Sequence, residues 1–122
     1  MSNGMVETRP LVSVHSGTTV AEAARLMSDC SMGAVGVLGP DKEVAGIFTE
    51  RDLIGFVARH GDPLQTLMKE VVNDFPVVVA GPISDQDAME RMKKAHIRHL
   101  LVNEGGHLRI VSMRDLMGAW GE

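Results

Sequence analysis

The sequence predicts an α+β fold made from two copies of one β-α-β-β-α unit. Three observations predict it. The stretch Gly46-Ile47-Phe48-Thr49-Glu50-Arg51-Asp52-Leu53 is echoed near the C-terminus by Arg109-Ile110-Val111-Ser112-Met113-Arg114-Asp115-Leu116. Isoleucine, hydroxyl, arginine, aspartate and leucine recur in the same order and spacing. A hydroxyl, two spacers and an acid ahead of an apolar helical pattern is a capping box, and four such caps stand in matching register. Between the caps lie short apolar runs bounded by turn residues, the pattern of strands. The two copies are drawn at 5–63 and 64–122. Half-size units have small cores, so the copies are expected to pack face to face through sheets or helix layers about a pseudo-twofold axis, with two equivalent clefts.

Each element follows in order. Leu11-Val12-Ser13-Val14 is a short strand-like lead-in. Thr19 and Glu22 cap the first helix, in which Val20, Ala23, Ala24 and Met27 form one apolar stripe. Cys30 corresponds to Ala95 and reads as a small core residue. Ala34 to Leu38 and Val44 to Phe48 are strands split by the turn Gly39-Pro40-Asp41-Lys42. The Thr49–Asp52 corner opens a second helix that stops at His60-Gly61-Asp62-Pro63, where glycine can cap and proline cannot continue. Leu64 to Asn73 links the copies and can hold a short helix. Pro76-Val77-Val78-Val79 repeats the lead-in. Ser84 follows Thr19 by 65 positions and caps the next helix, with Ala88, Met89, Met92 and Ala95 inward. Leu100 to Val102 and Leu108 to Val111 flank Glu104-Gly105-Gly106-His107. Ser112 follows Thr49 by 63 positions, because the second turn is tighter, and its helix runs to Trp120.

Composition narrows the function. The chain has 122 residues, 44% apolar and 23% charged, enough for one domain's core. A net charge of −4 excludes a nucleic-acid binder held by a broad basic face. There is no apolar run long enough to span a membrane. Met1-Ser2-Asn3-Gly4 lacks the charged and apolar regions of a signal peptide, so a cytoplasmic protein is expected. A single cysteine forbids an internal disulfide and fits a reducing compartment. Nine Met and no Tyr point to an adaptable aliphatic core. No nucleophile–base pair, metal-ligand set or Gly-x-x-x-x-Gly-Lys loop is found, so no catalytic or metal-binding residues are assigned. His96 and His99 lack the further ligands a metal needs. His15 and Ser16 sit in a turn with no third triad member. Arg51 and Arg114 read as surface or dimer-interface cations.

Gly-apolar-apolar-hydroxyl-x-x-Asp after a strand, a capped helix upstream and a twofold repeat together resemble a tandem pair of CBS domains, the Bateman module. The resemblance covers Met5 to Trp120. It implies two CBS motifs packed through their sheets and a stand-alone regulatory module rather than an enzyme. It further implies a homodimer, an adenosine-containing regulatory ligand (AMP, ADP, ATP or S-adenosylmethionine, with AMP or ATP foremost) and a regulated partner protein. Carried over by residue, Asp52 and Asp115 match ribose-binding carboxylates. Thr49 and Ser112 match hydroxyls near ribose and phosphate, and Ile47 and Ile110 match apolar residues beside adenine. One cleft would join Thr49 and Asp52 to Ile97, Arg98 and His99. The other would join Ser112 and Asp115 to Met32, Gly33 and Ala34.

The chain departs from the family pattern in three ways. Leu101 and Gly36 stand where proline is common, Arg109 replaces the glycine that Gly46 supplies, and Gly33-Ala34 offers no cation to match Arg98 and His99. The clefts are therefore expected to differ, with the Asp52 cleft suited to a phosphorylated ligand. A carboxylate can accept both ribose hydroxyls, each bond to a charged acceptor being worth roughly 1.5–3 kcal/mol. It also repels phosphate, which then needs a helix N-terminus or separate cations. From spacing alone the two aspartates are also explained as helix caps. A nucleotide-independent interaction module with empty clefts is the alternative function.

Overall fold

The computed structural model describes residues 4–72 and 76–120, with side chains up to Met117. The residues 1–3 weighed above for a leader, Asn73 at the end of the linker and residues 121–122 lie outside the described residues. The chain is mixed α+β, and it divides into two compact units.

The first unit is Val12–Pro76. Strand β2 (Ser13–His15) leads into α1 (Val20–Asp29), β3 (Ala34–Leu38), β4 (Val44–Thr49), α2 (Glu50–Ala58) and the short α3 (Met68–Val71). Its sheet has the order β2-β3-β4, with β2 parallel and β4 antiparallel to β3. A parallel pair needs a long crossover, and α1 is that crossover. Thr19 caps α1 as a full box: its hydroxyl accepts from Glu22 N–H at 3.1 Å and Glu22 Oε1 accepts from Thr19 N–H at 3.4 Å. The stripe Val20, Ala23 and Met27 packs with Val35, Val37, Phe48, Phe56 and Met68 into one core.

The second unit comprises the described residues of Met1–Leu11 and Val77–Glu122. It contains β1 (Arg9–Pro10), β5 (Val78–Ala80), α4 (Asp85–Ala95), β6 (His99–Glu104), β7 (His107–Ser112) and α5 (Met113–Trp120). The sheet order is β1-β7-β6-β5. Its core reproduces the first by position: Ala88 and Met92 stand for Ala23 and Met27, Leu100 and Val102 for Val35 and Val37, Val111 for Phe48.

Packing departs from the repeat boundaries 5–63 and 64–122 in the segments that precede the two lead-ins. Residues before the first lead-in join the second unit through β1 on β7, the Met5–Ser84 bridge and a 2.9 Å bond from Val6 N–H to Ile83 C=O. The linker folds back on the first unit. Val20 N–H reaches Thr66 C=O at 2.9 Å, Met68 N–H reaches Thr18 C=O at 2.7 Å, and Met68 is fully buried.

Helices α1 and α4 end alike. Ser31 and His96 take left-handed φ values of 53° and 56°. Met32 N–H then bonds Met27 C=O at 2.9 Å, and Ile97 N–H bonds Met92 C=O at 3.0 Å. These closures satisfy helix-end carbonyls as glycine-capped ends do. The β6–β7 turn is two glycines with positive φ, 59° at Gly105 and 86° at Gly106, the geometry favoured between two antiparallel strands. The β3–β4 connection is longer and carries a bulge at Val37/Leu38, which accounts for the change of offset from 65 to 63.

Four local expectations need correction. Cys30 and Ala95 are exposed, not core. Each stands where its helix ends and the chain turns away from the apolar stripe. Ser84 accepts from Asp87 N–H at 3.1 Å, but no return bond from the Asp87 carboxylate completes a box. The left-handed residue after α2 is His60, φ 61°, not Gly61. Gly61 is instead required by space, since a Cβ there would lie 2.4 Å from the Phe56 ring.

Candidate functional site

Each unit presents one strand-to-helix corner. In the first, β4 ends at Thr49, whose backbone stays extended (φ −114°, ψ 167°) and caps α2. Asp52 N–H donates to Thr49 Oγ1 at 3.2 Å. Asp52 Oδ2 in return accepts from Thr49 N–H at 2.9 Å and from Thr49 Oγ1 at 3.0 Å. All the cap bonds fall on one carboxylate oxygen. Asp52 Oδ1 receives no hydrogen bond from the described residues, so the capping role leaves half the carboxylate for another donor.

Asp52 also lines a cavity of about 480 Å³ within this unit. Phe48, Phe56 and Val72 give it an apolar side, and Asp52, Arg59 and Glu70 give it charge. It is half open to solvent and lies on the helix side of the sheet, beside the core residues Phe48 and Phe56. Arg59 was not assigned from the sequence. It is the C-cap of α2, seven residues after Asp52 and so near the same helix face, and that spacing was the available signal. Gly55 makes room for it, since a Cβ at Gly55 would meet the Arg59 guanidinium at 3.1 Å.

The second corner carries the same cap. Asp115 N–H donates to Ser112 Oγ at 3.0 Å, and Asp115 Oδ2 accepts from Ser112 N–H at 3.4 Å. Its other oxygen is occupied. Arg9 Nη2 lies 3.0 Å from Asp115 Oδ1, with the Arg9 side chain 57% and the Asp115 side chain 25% exposed. Arg9 also escaped the sequence reading. It reaches Asp115 because β1 pairs antiparallel with β7, Arg9 opposite Ile110. Nothing local in the sequence announces a contact between residues so far apart in the chain.

Within each unit the strand start adjoins that unit's own corner. Ala34 stands opposite Thr49 in register, and Glu50 N–H bonds Gly33 C=O at 2.9 Å. His99 stands opposite Ser112, and Met113 N–H bonds Arg98 C=O at 2.8 Å. Ile47 and Ile110 are buried but belong to neither helix-packed core. Alternation along β4 and β7 puts Phe48 and Val111 into those cores and turns the isoleucines to the opposite sheet face. Arg98 is exposed, and Met32, Gly33 and His99 are half-buried, whereas Ala34 is buried. Ile97 packs partly against the second core. Arg109, which replaces the expected glycine, donates to Thr8 Oγ1 at 2.7 Å and lies 3.4 Å from Glu104. It thus anchors the strand that carries Arg9. Among the described residues no group of three or more His, Cys, Asp or Glu gathers for a metal ion. No helix there is long and apolar enough to cross a membrane.

Comparison with known proteins agrees with this architecture. The CBS domain family model matches twice, at residues 4–59 and 67–122. A 17.7 kDa protein of Acidianus ambivalens is 33% identical over 122 residues, 93% of this chain and 70% of that protein. The chain spans only 19% of a CBS domain-containing protein of Arabidopsis thaliana, at 28% identity over 106 residues. Among solved structures, a CBS-domain containing protein from Agrobacterium tumefaciens superposes with TM-score 0.81 and 34% identity, covering 92% of this chain and 90% of that one. A CBS domain protein from Pyrobaculum aerophilum, solved in complex with AMP, gives TM-score 0.75 and 26% identity, covering 88% and 83%. With the repeated corner, the matched cores and two family matches in tandem, the chain belongs to the CBS domain family and is a tandem CBS-domain protein.

Proposed function

We propose that this tandem CBS module senses an adenosine-containing ligand and passes the signal to a partner protein. The observation that carries this reading is Asp52. Its Oδ1 takes no bond from the described residues, and its side chain is only partly buried at the strand-to-helix corner. In the proposed complex Asp52 accepts the ribose hydroxyls, as the family resemblance implies. Thr49 and Ile47 contribute from the same strand, and Ile97, Arg98 and His99 of the other motif supply the apolar contact and the cations for phosphate. Ser112, Asp115 and Ile110, with Met32, Gly33 and Ala34, form the second site of the proposal. The AMP complex of the Pyrobaculum protein supports an adenine nucleotide as the ligand class, with AMP, ATP and S-adenosylmethionine all candidates. The role is regulatory rather than catalytic and belongs to the cytoplasm. Signalling requires that the ligand prefer one of two conformations.

A homodimer is part of the proposal. Ile54 and Val57 on α2 are 68% and 61% exposed, and Met117 on α5, the repeat equivalent of Ile54, is 61% exposed. Large apolar side chains left in water at matched positions suit an interface. The second reading is an interaction module that needs no nucleotide. The Arg9–Asp115 pair favours it for the second corner, because that carboxylate already has a cation.

A thermal-shift panel with AMP, ADP, ATP, NAD, S-adenosylmethionine and GTP, run on the unaltered chain and on Asp52→Asn, tests the proposal. A ligand at about 100 times its dissociation constant stabilises the folded state by roughly 2.7 kcal/mol, several degrees for a chain of this size. A shift with an adenosine compound that disappears in Asp52→Asn is the expected result. No shift with any compound would leave the interaction module as the function.

A further inference from the structure

We propose that Arg9 decides how the two corners share a nucleoside, by acting as a built-in competitor for the Asp115 carboxylate. The inference rests on the ribose role proposed for the two aspartates. It adds a residue with no place in that role and a direction for its effect.

The corners are alike in their caps and differ in their second oxygen. Asp52 Oδ1 receives no hydrogen bond from the described residues, whereas Asp115 Oδ1 holds the Arg9 guanidinium at 3.0 Å. A ribose offers two adjacent hydroxyl donors. Bonding both to Asp115 brings one of them onto Oδ1, where the Arg9 guanidinium already takes a lone pair and part of the space, a competition Asp52 does not meet.

Arg9 is presented by a strand fixed independently of this ion pair. Asp85 N–H bonds Gly4 C=O at 2.8 Å, Val6 N–H bonds Ile83 C=O at 2.9 Å, and Pro10 is in register with Arg109. Thr8 Oγ1 donates to Glu104 Oε1 and accepts from Arg109 Nε at 2.7 Å, and Arg109 Nη2 donates to Thr8 C=O at 3.1 Å. The guanidinium is therefore held beside Asp115 without any loop having to close. Its grip is nonetheless modest, because the Arg9 side chain is 57% exposed and makes a single contact at that carboxylate. Exposed ion pairs of this kind shift an equilibrium by no more than about fivefold, and salt weakens them. Arg9 is thus a bias between corners, graded by ionic strength, rather than a plug.

The test uses adenosine, which is uncharged, so that salt acts on the Arg9–Asp115 pair and not on the ligand. Backbone amide shifts at Asp52 and at Asp115, followed by NMR during titration, give one dissociation constant per corner. The expected result for Arg9→Gln is about two- to fivefold tighter binding at the Asp115 corner, with the Asp52 corner unchanged. Raising sodium chloride should tighten the Asp115 corner of the unaltered chain and leave that of Arg9→Gln level. The salt series on the unaltered chain decides the matter if the variant does not fold. An Asp115 constant that neither Arg9→Gln nor salt improves would overturn the competitor role while the Asp52 corner still bound. Silence at the Asp52 corner with a gain at Asp115 in Arg9→Gln would overturn the first-site reading and keep Arg9's role. Silence at both corners in both proteins would overturn both.

Discussion

The Thr49–Asp52 and Ser112–Asp115 corners are written in nearly the same letters and end up chemically different. Both join an apolar strand to a helix, and both cap that helix with a hydroxyl and an aspartate three residues on. At the first corner the cap uses only Asp52 Oδ2, and the residue borders a cavity. At the second, a strand from the start of the chain lays a guanidinium on Asp115 Oδ1. The lesson is that a local motif specifies its own backbone geometry but not the electrostatic state of its functional group. That state depends on which distant segment is folded against it.

The comparison can be broken first at the level of the cores beneath the corners. Phe48 and Val111 occupy equivalent positions, both essentially fully buried. Phe48→Ala should cost about 3–5 kcal/mol and Val111→Ala distinctly less, since fewer atoms leave the core. Urea unfolding of the two variants checks this, and equal losses would mean that the first core closes over the gap. The ligand comparison comes next. Asp52→Asn should weaken adenosine binding at its corner by roughly tenfold or more, the worth of at least one hydrogen bond to a charged acceptor. Asp115→Asn should change total binding less, because part of its carboxylate is already engaged. Calorimetric titration of both variants decides it, and a larger effect from Asp115→Asn would reverse the ranking of the corners.

The caps themselves should differ by less. Thr49→Ala and Ser112→Ala each remove a helix cap, worth about 1 kcal/mol. Thr49 should cost more, because its hydroxyl also donates to Asp52 Oδ2 at 3.0 Å, whereas the Ser112 hydroxyl only accepts from Asp115 N–H among the described residues. The smallest expected effect is a gain. Ser31 and His96 hold left-handed conformations that favour glycine. Ser31→Gly and His96→Gly should each raise the stability measured by denaturant midpoint, by up to about 1 kcal/mol. Loss of stability in His96→Gly would show that the imidazole contributes contacts beyond closing the helix.

His96 illustrates how far the sequence could be read. In the sequence it stands three residues before His99, a pair that invites a metal reading but lacks the further ligands. The structure makes it the left-handed end of α4, matched by Ser31 after α1, a role that composition cannot signal because both residues are unusual there. Gly61 shows a related limit. A glycine after a helix suggests a left-handed cap, whereas the residue with positive φ is His60 and the glycine is needed to clear the Phe56 ring. Cys30 and Ala95 fit an apolar stripe on paper and are exposed, because the helices end before another inward position is reached.

Residues near one another in the chain determined the rest by themselves. Caps, apolar periodicity and turn glycines are short-range constraints, satisfied by hydrogen bonds and dihedral preferences within a few residues. They sufficed for the α+β class, the repeated unit, the strand and helix positions and the two aspartate corners. Tertiary structure alone decided the packing of the segment before the first lead-in on the second unit and of the linker on the first, the arrival of Arg9 at Asp115 and the shared cavity of Asp52, Arg59 and Glu70. Each of these joins segments distant in sequence. Such contacts depend on strand pairing and core closure over the whole unit, so no window of the sequence contains them.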